Sequence, residues 1–313
     1  MHRSLISVAA VAIVTGGAAC AETIGASMAQ FDGTIPTMLR ESMVAQAGQL
    51  MSVDLVVENA ANDSATQLDQ VNGFLAAGVD AVIVQIVEPA AAAAMTEVAQ
   101  AAGVPLVFVN REPGNVGQLP DSQSYVGSDP GGAGLLEIAE VCRLLGAQGT
   151  DPAPIYVMTG APSGEAAVRT QDIHDVLGNG ACDVMLGIVA EQSAGWSRAE
   201  ADGLMTAWLS TGEPFDAVVA NDDEMALGAI DAMKAAEWSM QDIIVGGIDG
   251  TPAALEAVAK GDLDVTVIED AAGQGAAALA AALNLSAGDP VERVILIPPQ
   301  LVTPDTVAAY QTQ

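Results

Sequence analysis

One alternation constrains this chain more than any other feature. Short runs rich in Val, Ile and Leu trade places with Ala-rich segments of helix length, at a period of about 25–30 residues. The clearest copy is AVVANDDEMALGAIDAMKAAEWSMQDIIVGGID, residues 217–249. A strand at 217–220 runs into Asn221-Asp222-Asp223, a helix is predicted over 224–236 with Asp223 as its cap, and a strand over 243–248 ends at Asp249. Repeats of this length give parallel strands joined by right-handed crossovers. In such open sheets, ligands bind at the carboxyl ends of the strands, where Asp222 and Asp249 fall.

The same unit recurs along the chain. Strands are predicted at 23–29, 53–58, 81–86 and 105–109, with helices at 34–48, 64–77 and 89–102. A second series begins after Tyr125-Val126-Gly127. It has helices at 132–145, 164–177 and 196–210, the last opened by Trp196, and strands at 154–158 and 184–190. Two series in tandem predict an α/β fold of two doubly wound parallel-sheet lobes, divided near 127–129 where Gly, Ser, Asp and Pro cluster. Helices at 252–260 and 271–285 and strands at 265–268 and 294–297 are too few for a third domain. They must complete the two lobes, so the chain crosses between them more than once. The low aromatic content, 3% against 51% hydrophobic residues, suits buried parallel strands covered by Ala-rich helices.

Residues 1–21 read as a cleaved secretory signal: Arg3 is the positive region, residues 5–14 the apolar one, and Ala19-Cys20-Ala21 the small-x-small site. The alternative is a lipoprotein modified at Cys20. Export leaves Cys142 and Cys182, which either pair or stay as buried thiols. With 9 basic against 40 acidic residues and a net charge of −31, the chain repels phosphate backbones and anionic lipid surfaces, which argues against nucleic-acid and membrane-surface partners.

Signals for catalysis are missing. Beyond the signal there is one histidine, His174, inside a predicted helix, and the segment Gly160-Ala-Pro-Ser-Gly164 is not a nucleophile elbow around Ser163. The sequence has no dinucleotide or P-loop fingerprint, no zinc spacing and no calcium loop, so neither cofactor nor metal is expected. Asp222 and Asp249 as a glycosidase pair would lack any other hydrolytic signature. What remains is polar groups at strand ends and helix starts: Phe31 and Asp32, Asn110 and Arg111, Arg169, Trp196, Asp222, Asp249 and Glu269. Carboxylates accept from hydroxyls, Arg and amides donate to them, and an indole packs on the C–H face of a ring. The set suits a small neutral polyol.

The stretches VDAVIVQIVEPAAA, VPLVFVNREP, YVGSD, WSRAEADGLMTAWL, ANDDEMALGAIDAMKA and VGGIDGTPAALEAVAKGDLDVTVIEDAAGQG carry a resemblance. Over essentially the whole chain after the signal, it resembles the type I periplasmic sugar-binding proteins of ABC transporters: the galactose/glucose- and ribose-binding group and its inositol-binding relatives. The resemblance implies a periplasmic, non-enzymatic, monomeric protein that binds a hexose or inositol between its lobes, partnered by permease subunits and in some cases a chemoreceptor. It implies ligand contacts from Asn110, Arg169, Trp196, Asp222 and Asp249, with Arg111 and Gln274 at or beside the pocket. The expected lobes are 22–128 with 269–293 and 129–268 with 294–313, hinged near 127–129, 268–270 and 291–294. Glucose and galactose binders have Asn where this chain has Asp222 and Glu269, and an Asp and a Phe where it has Gly33 and Ile35. Asp32 or Phe31 would compensate, Glu165 would replace an absent His-Pro-Asp acid, and GAQGTDPAPI stands in place of a calcium loop. WSRAEA and EDAAGQG look more like the inositol binders. The rival readings are the effector domain of a sugar-responsive transcriptional regulator, which would need a helix-turn-helix in place of the signal, and a secreted glycoside hydrolase.

Overall fold

The computed structural model describes residues 21–50, 52–162 and 164–311. All of the predicted export signal but its last residue, Cys20 included, lies outside these residues, as does Ser163.

The first series of repeats builds β1 (Glu22–Met28), α1 (Thr34–Gln49), β2 (Val53–Asn59), α2 (Ser64–Ala77), β3 (Ala81–Val84), α3 (Ala92–Ala102), β4 (Leu106–Val109) and β5 (Gln123–Ser128). The second builds α4 (Pro130–Gln148), β6 (Ala153–Thr159), α5 (Gly164–Asn179), β7 (Leu186–Ser193), α6 (Arg198–Thr211), β8 (Ala217–Ala220), α7 (Asp223–Ala235) and β9 (Ile244–Gly246). The trailing elements are α8 (Pro252–Lys260), β10 (Thr266–Ile268), α9 (Ala271–Ser286), β11 (Val294–Ile297) and β12 (Gln300–Val302).

Two parallel sheets form, in the orders β11-β5-β4-β3-β1-β2 and β7-β6-β8-β9. Their inner strands β3, β4 and β8 are buried at every position, while the edge strands β2, β7 and β11 alternate. That is the pattern of sheets covered by helices on both faces. In the first sheet, α1 and α9 pack over one side through Leu39, Met43, Ala278 and Leu279, and α2 and α3 over the other through Phe74 and Met95. Gly275 lets α1 and α9 approach closely, since a Cβ there would lie 2.7 Å from the Leu39 carbonyl oxygen. In the second sheet, α6, α7 and α8 cover one face and α4 and α5 the other. Tyr156 stacks on Trp208 with ring centroids 4.4 Å apart.

The structure corrects one expectation and adds two findings. β11 pairs with β5 in the first sheet, so residues 294–297 belong with the N-terminal lobe and the last crossing follows residue 297, not 291–294. The strand β12 was not anticipated; it runs antiparallel to β10. Cys142 of α4 and Cys182 before β7, left open by the sequence, form a disulfide with Cα atoms 5.5 Å apart. The three crossings between sheets therefore lie at 128–130, 268–271 and 297–300. Among the described residues, no helix is long and apolar enough to cross a membrane.

Candidate functional site

Both sheets have a point where strand order reverses: between β1 and β3 in the first, and between β6 and β8 in the second. Ligand crevices open at the carboxyl ends of such strands. Here the two edges meet. Thr34 at the start of α1 donates to Glu224 of α7 across 3.3 Å, joining the chain after β1 to the chain after β8.

Arg169 is the hub on the second sheet. It stands on α5, is 3% exposed, and lies under the ends of β8, β9 and β10. Its Nη1 donates to the Asn221 carbonyl at 2.5 Å, and its Nη2 pairs with Glu269 at 2.7 Å, Glu165 at 2.8 Å and Asp249 at 3.4 Å. One planar fork thus orders three strand ends, a task suited to a side chain with five fixed donors. Asn221, fully buried, accepts from the Gly160 amide at 3.1 Å and the Thr170 hydroxyl at 3.0 Å, closing the same edge.

On the first sheet Asn110 ends β4 with φ +68°. Its Oδ1 accepts from Gln85 at 3.1 Å, its Nδ2 donates to Gln274 at 3.3 Å, and its carbonyl accepts from the Tyr125 hydroxyl at 2.9 Å. Gln274, buried on α9, donates in turn to the Glu269 carbonyl at 2.6 Å. A continuous polar chain therefore runs Asn110–Gln274–Glu269–Arg169–Asp249, from one sheet edge to the other. Arg111 extends beside it, 3.4 Å from the carbonyls of Ile86 and Val87.

Trp196 does not open α6 as the sequence suggests. It lies two residues ahead of it, in a turn with φ +65°, and Ser197 is the cap, accepting from the Glu200 amide at 3.3 Å. The turn drops the indole onto Gly160, where a Cβ would come within 2.0 Å of the ring. Only glycine leaves room for it. The Arg169 guanidinium carbon is 5.7 Å from the indole centroid, within cation–π range. Asn110, Trp196, Asp249 (φ +123°) and Asp270 (φ +41°) all hold left-handed backbone at this edge, and non-glycine residues in that region concentrate at functional sites.

The cap of α7 is Asp222, not Asp223. Asp222 accepts from the Met225 amide at 2.8 Å, which commits one carboxylate oxygen to the helix. Burial, opposed by that amide and by Arg169, pushes its carboxyl up to about 6. Burial also holds Asp249 well above the ordinary range, against the pull of Arg169 and with Asp222, Asp223 and Glu269 adding to it. Glu269 is raised for the same first reason. Behind them Glu137 of α4 is fully buried and likewise raised by desolvation. The edge thus holds Glu165, Asp222, Asp249 and Glu269 against two arginines.

Of the residues singled out by sequence, Asn110, Arg169, Trp196, Asp249, Glu269 and Gln274 meet in this network, and Asp222 and Arg111 line it. Phe31 and Asp32 stand apart at the end of β1: the Phe31 ring lies 4.6 Å from the Arg40 guanidinium carbon, and Asp32 is exposed. Gln85, Tyr125 and Asn221 went unrecognised. Gln85 directly follows β3, so a strand boundary placed at Val84 would have exposed it as a strand-end polar group. His174 is half-exposed and pairs with Glu191 at 2.8 Å, away from the network. Two concavities of about 480 and 640 Å³ also lie apart, one beside Cys142 and Asp183, the other along Met38, Gln46 and Ala272.

Comparison with known proteins gives the fold and the site a common context. Residues 24–290 match the model of a family described as a periplasmic binding protein domain. A protein of Rhizobium meliloti that carries the provisional name of rhizopine-binding protein is 49% identical over 312 residues, 99% of each chain. A D-galactose/methyl-galactoside binding periplasmic protein of Haemophilus influenzae is 30% identical, covering 91% of this chain and 89% of its own. Among solved structures, an ABC transporter solute binding protein of Bacillus halodurans with bound myo-inositol superimposes with TM-score 0.83 at 37% identity, covering 94% of this chain and 99% of that one. Two doubly wound lobes crossed three times, a polar edge shared between them and these matches lead to one conclusion: the chain belongs to the periplasmic binding protein family.

Proposed function

We propose that the chain is the solute-binding component of an ABC importer and closes its lobes around a cyclic polyol of the inositol class. The observation that carries this reading is the polar chain from Asn110 to Asp249, which draws on both sheets and ends in groups suited to hydroxyls. Asp222 and Asp249 accept ligand hydroxyls, Asn110 and Arg169 donate, and Trp196 covers an apolar ring face. Arg111 forms the outer wall from the first lobe, where Phe31 and Asp32 would join it only on closure, and Gln274 and Glu269 hold the floor. A ligand that bonds to both lobes does so fully only when they are closed, so it shifts the population towards the closed form by motion at the three crossings. Permease subunits in the membrane, and a chemoreceptor where one is coupled, would read that form on a monomeric, exported chain. The family's role is binding, and no residue at this edge is proposed to break a bond.

The myo-inositol carried by the 37%-identical Bacillus structure supports the ligand class. A second reading has its own support: four carboxylates facing two arginines favour a polyol that brings a protonated amine. A thermal-shift screen of hexoses, pentoses, inositols, alditols and amino-substituted cyclitols tests both. A ligand at about 100 times its Kd stabilises the folded state by about 2.7 kcal/mol. A flat melting temperature across the whole panel would sink the transport reading; a response to amino cyclitols alone would select the second.

Asp249→Ala is expected to weaken binding at least about 100-fold, roughly 2.7 kcal/mol, while circular dichroism shows a native fold. Unchanged affinity by calorimetry would remove Asp249 from the site.

A further inference from the structure

Asp223 does something its neighbour does not. It is fully buried, and its own amide donates to the Ile248 carbonyl at 2.7 Å. Its Oδ2 accepts from the Thr251 amide at 2.7 Å, and its Oδ1 accepts from the Thr266 hydroxyl at 2.6 Å. That hydroxyl in turn accepts from the Gly250 amide at 3.2 Å, which fixes the direction of its own proton towards Asp223. The Asp249 amide donates to the Val267 carbonyl at 2.7 Å. Three consecutive amides, at 249, 250 and 251, are therefore all held by β10 or by Asp223. The fit is close on every side: a Cβ at Gly247 would lie 2.7 Å from Asp223 Oδ1, and one at Gly250, φ +68°, would lie 2.1 Å from Ile268. Asp249 itself has φ +123°, which a non-glycine residue keeps only when its surroundings impose it.

We propose that Asp223 is a positioning residue that, through Thr266 and Thr251, locks the 248–251 turn onto β10 and so sets the place of the Asp249 carboxylate. β10 ends at Ile268, beside the 268–271 crossing, and Glu269 follows it. The acid that meets the ligand and the strand that leads to the hinge are thus held by one buried side chain that has no oxygen left for the ligand. Both oxygens accept hydrogen bonds from their partners, which favours the ionised form and opposes the desolvation of the carboxylate. Burial, opposed by the Thr266 and Thr251 bonds, lifts Asp223 to about 7, with Asp222 adding to it. The other acids facing it are Glu137 of α4 and Asp249. With its closed-state value above that of a solvated carboxyl, the closed turn binds protons more tightly than the open one, so opening falls as pH drops through about 7.

The binding consequence rests on the proposed function; the positioning does not, and the test separates them. Hydrogen exchange is followed on the unliganded protein for Asp223→Asn, Thr266→Val and Thr266→Ser. Opening of the amides at 250 and 251 is expected to rise at least roughly tenfold in Asp223→Asn and Thr266→Val, and to stay within about twofold of wild type in Thr266→Ser, which keeps the hydroxyl. After correction for intrinsic rates, opening in wild type should fall from pH 8 to pH 6, and Asp223→Asn should not respond. Titration with myo-inositol should show about tenfold weaker binding in the first two variants and near-normal binding in Thr266→Ser. If Asp223→Asn fails to fold, the two Thr266 variants still decide the matter. The proposal is overturned if Thr266→Val opens no more than wild type, if Thr266→Ser opens as much as Thr266→Val, or if opening rises while affinity stays constant. Wild type that binds no polyol, yet responds in exchange as expected, leaves the lock standing and removes the proposed ligand class instead.

Discussion

Arg169→Met is expected to destabilise the fold by about 3–5 kcal/mol at pH 8, the usual consequence of removing one partner from a buried ionic cluster. The methionine fills the volume but leaves buried Glu269 and partly buried Asp249 without their cation, and frees the Asn221 carbonyl. The deficit should shrink on acidification. Both acids already have raised values in the folded state, with burial as the first cause, and Arg169 is what opposes it. Without Arg169 the folded-state values rise further above the unfolded ones. An acid shifted upward binds protons more tightly when folded, so stability falls as pH rises and returns as pH drops through the folded value. Urea unfolding at pH 8 and pH 5.5 measures this directly. A variant equally weakened at both, or not weakened at all, would mean that Arg169 does not neutralise the cluster. Polyol binding should vanish in the same variant, since both acids and the Trp196 indole lose their common support.

The second large effect is expected far from the cleft. The Cys142–Cys182 bond closes a loop of sequence separation 40 between α4 and the turn before β7. In the chain-entropy account, a loop of that length is worth about 4 kcal/mol, through restriction of the unfolded chain. A Cys142→Ser, Cys182→Ser double variant should lose about 2–4 kcal/mol in urea unfolding, with affinity for its ligand unchanged, because the bond touches none of the cleft residues. Equal midpoints for wild type and the double variant would show that the bond does not stabilise the fold. Loss of affinity without loss of stability would place the disulfide in the closing motion.

Much of the architecture is legible because its punctuation is local. α2 runs over the predicted 64–77, since Asp63 caps it by accepting from the Thr66 amide and Gly78 ends it at φ +75°. α8 runs over 252–260 for the same kind of reason: Thr251 caps it, Pro252 follows, and Gly261 closes it. β8 and β11 keep their predicted bounds. Errors arise where a distant partner decides. β12, with only three residues, exists because β10 offers it an antiparallel edge. β11 joins the first lobe because β5 has a free edge there, which nothing within 294–297 encodes. In Asn221-Asp222-Asp223 either aspartate has the chemistry of a cap. The choice fell to Asp222 because Asp223 is drawn inward by Thr266 and Thr251, 43 and 28 residues along the chain.

Strand–helix period and strand ends are properties of short segments, so the two doubly wound lobes, and the gathering of the strand-end acids and Arg169 at one sheet edge, are legible without any long-range contact. Which of those acids line the shared polar edge and which serve the scaffold emerges only on folding. That division depends on hydrogen bonds between residues far apart in sequence, and on the burial that raises Asp222, Asp223 and Asp249 together while a single arginine holds the cluster in place.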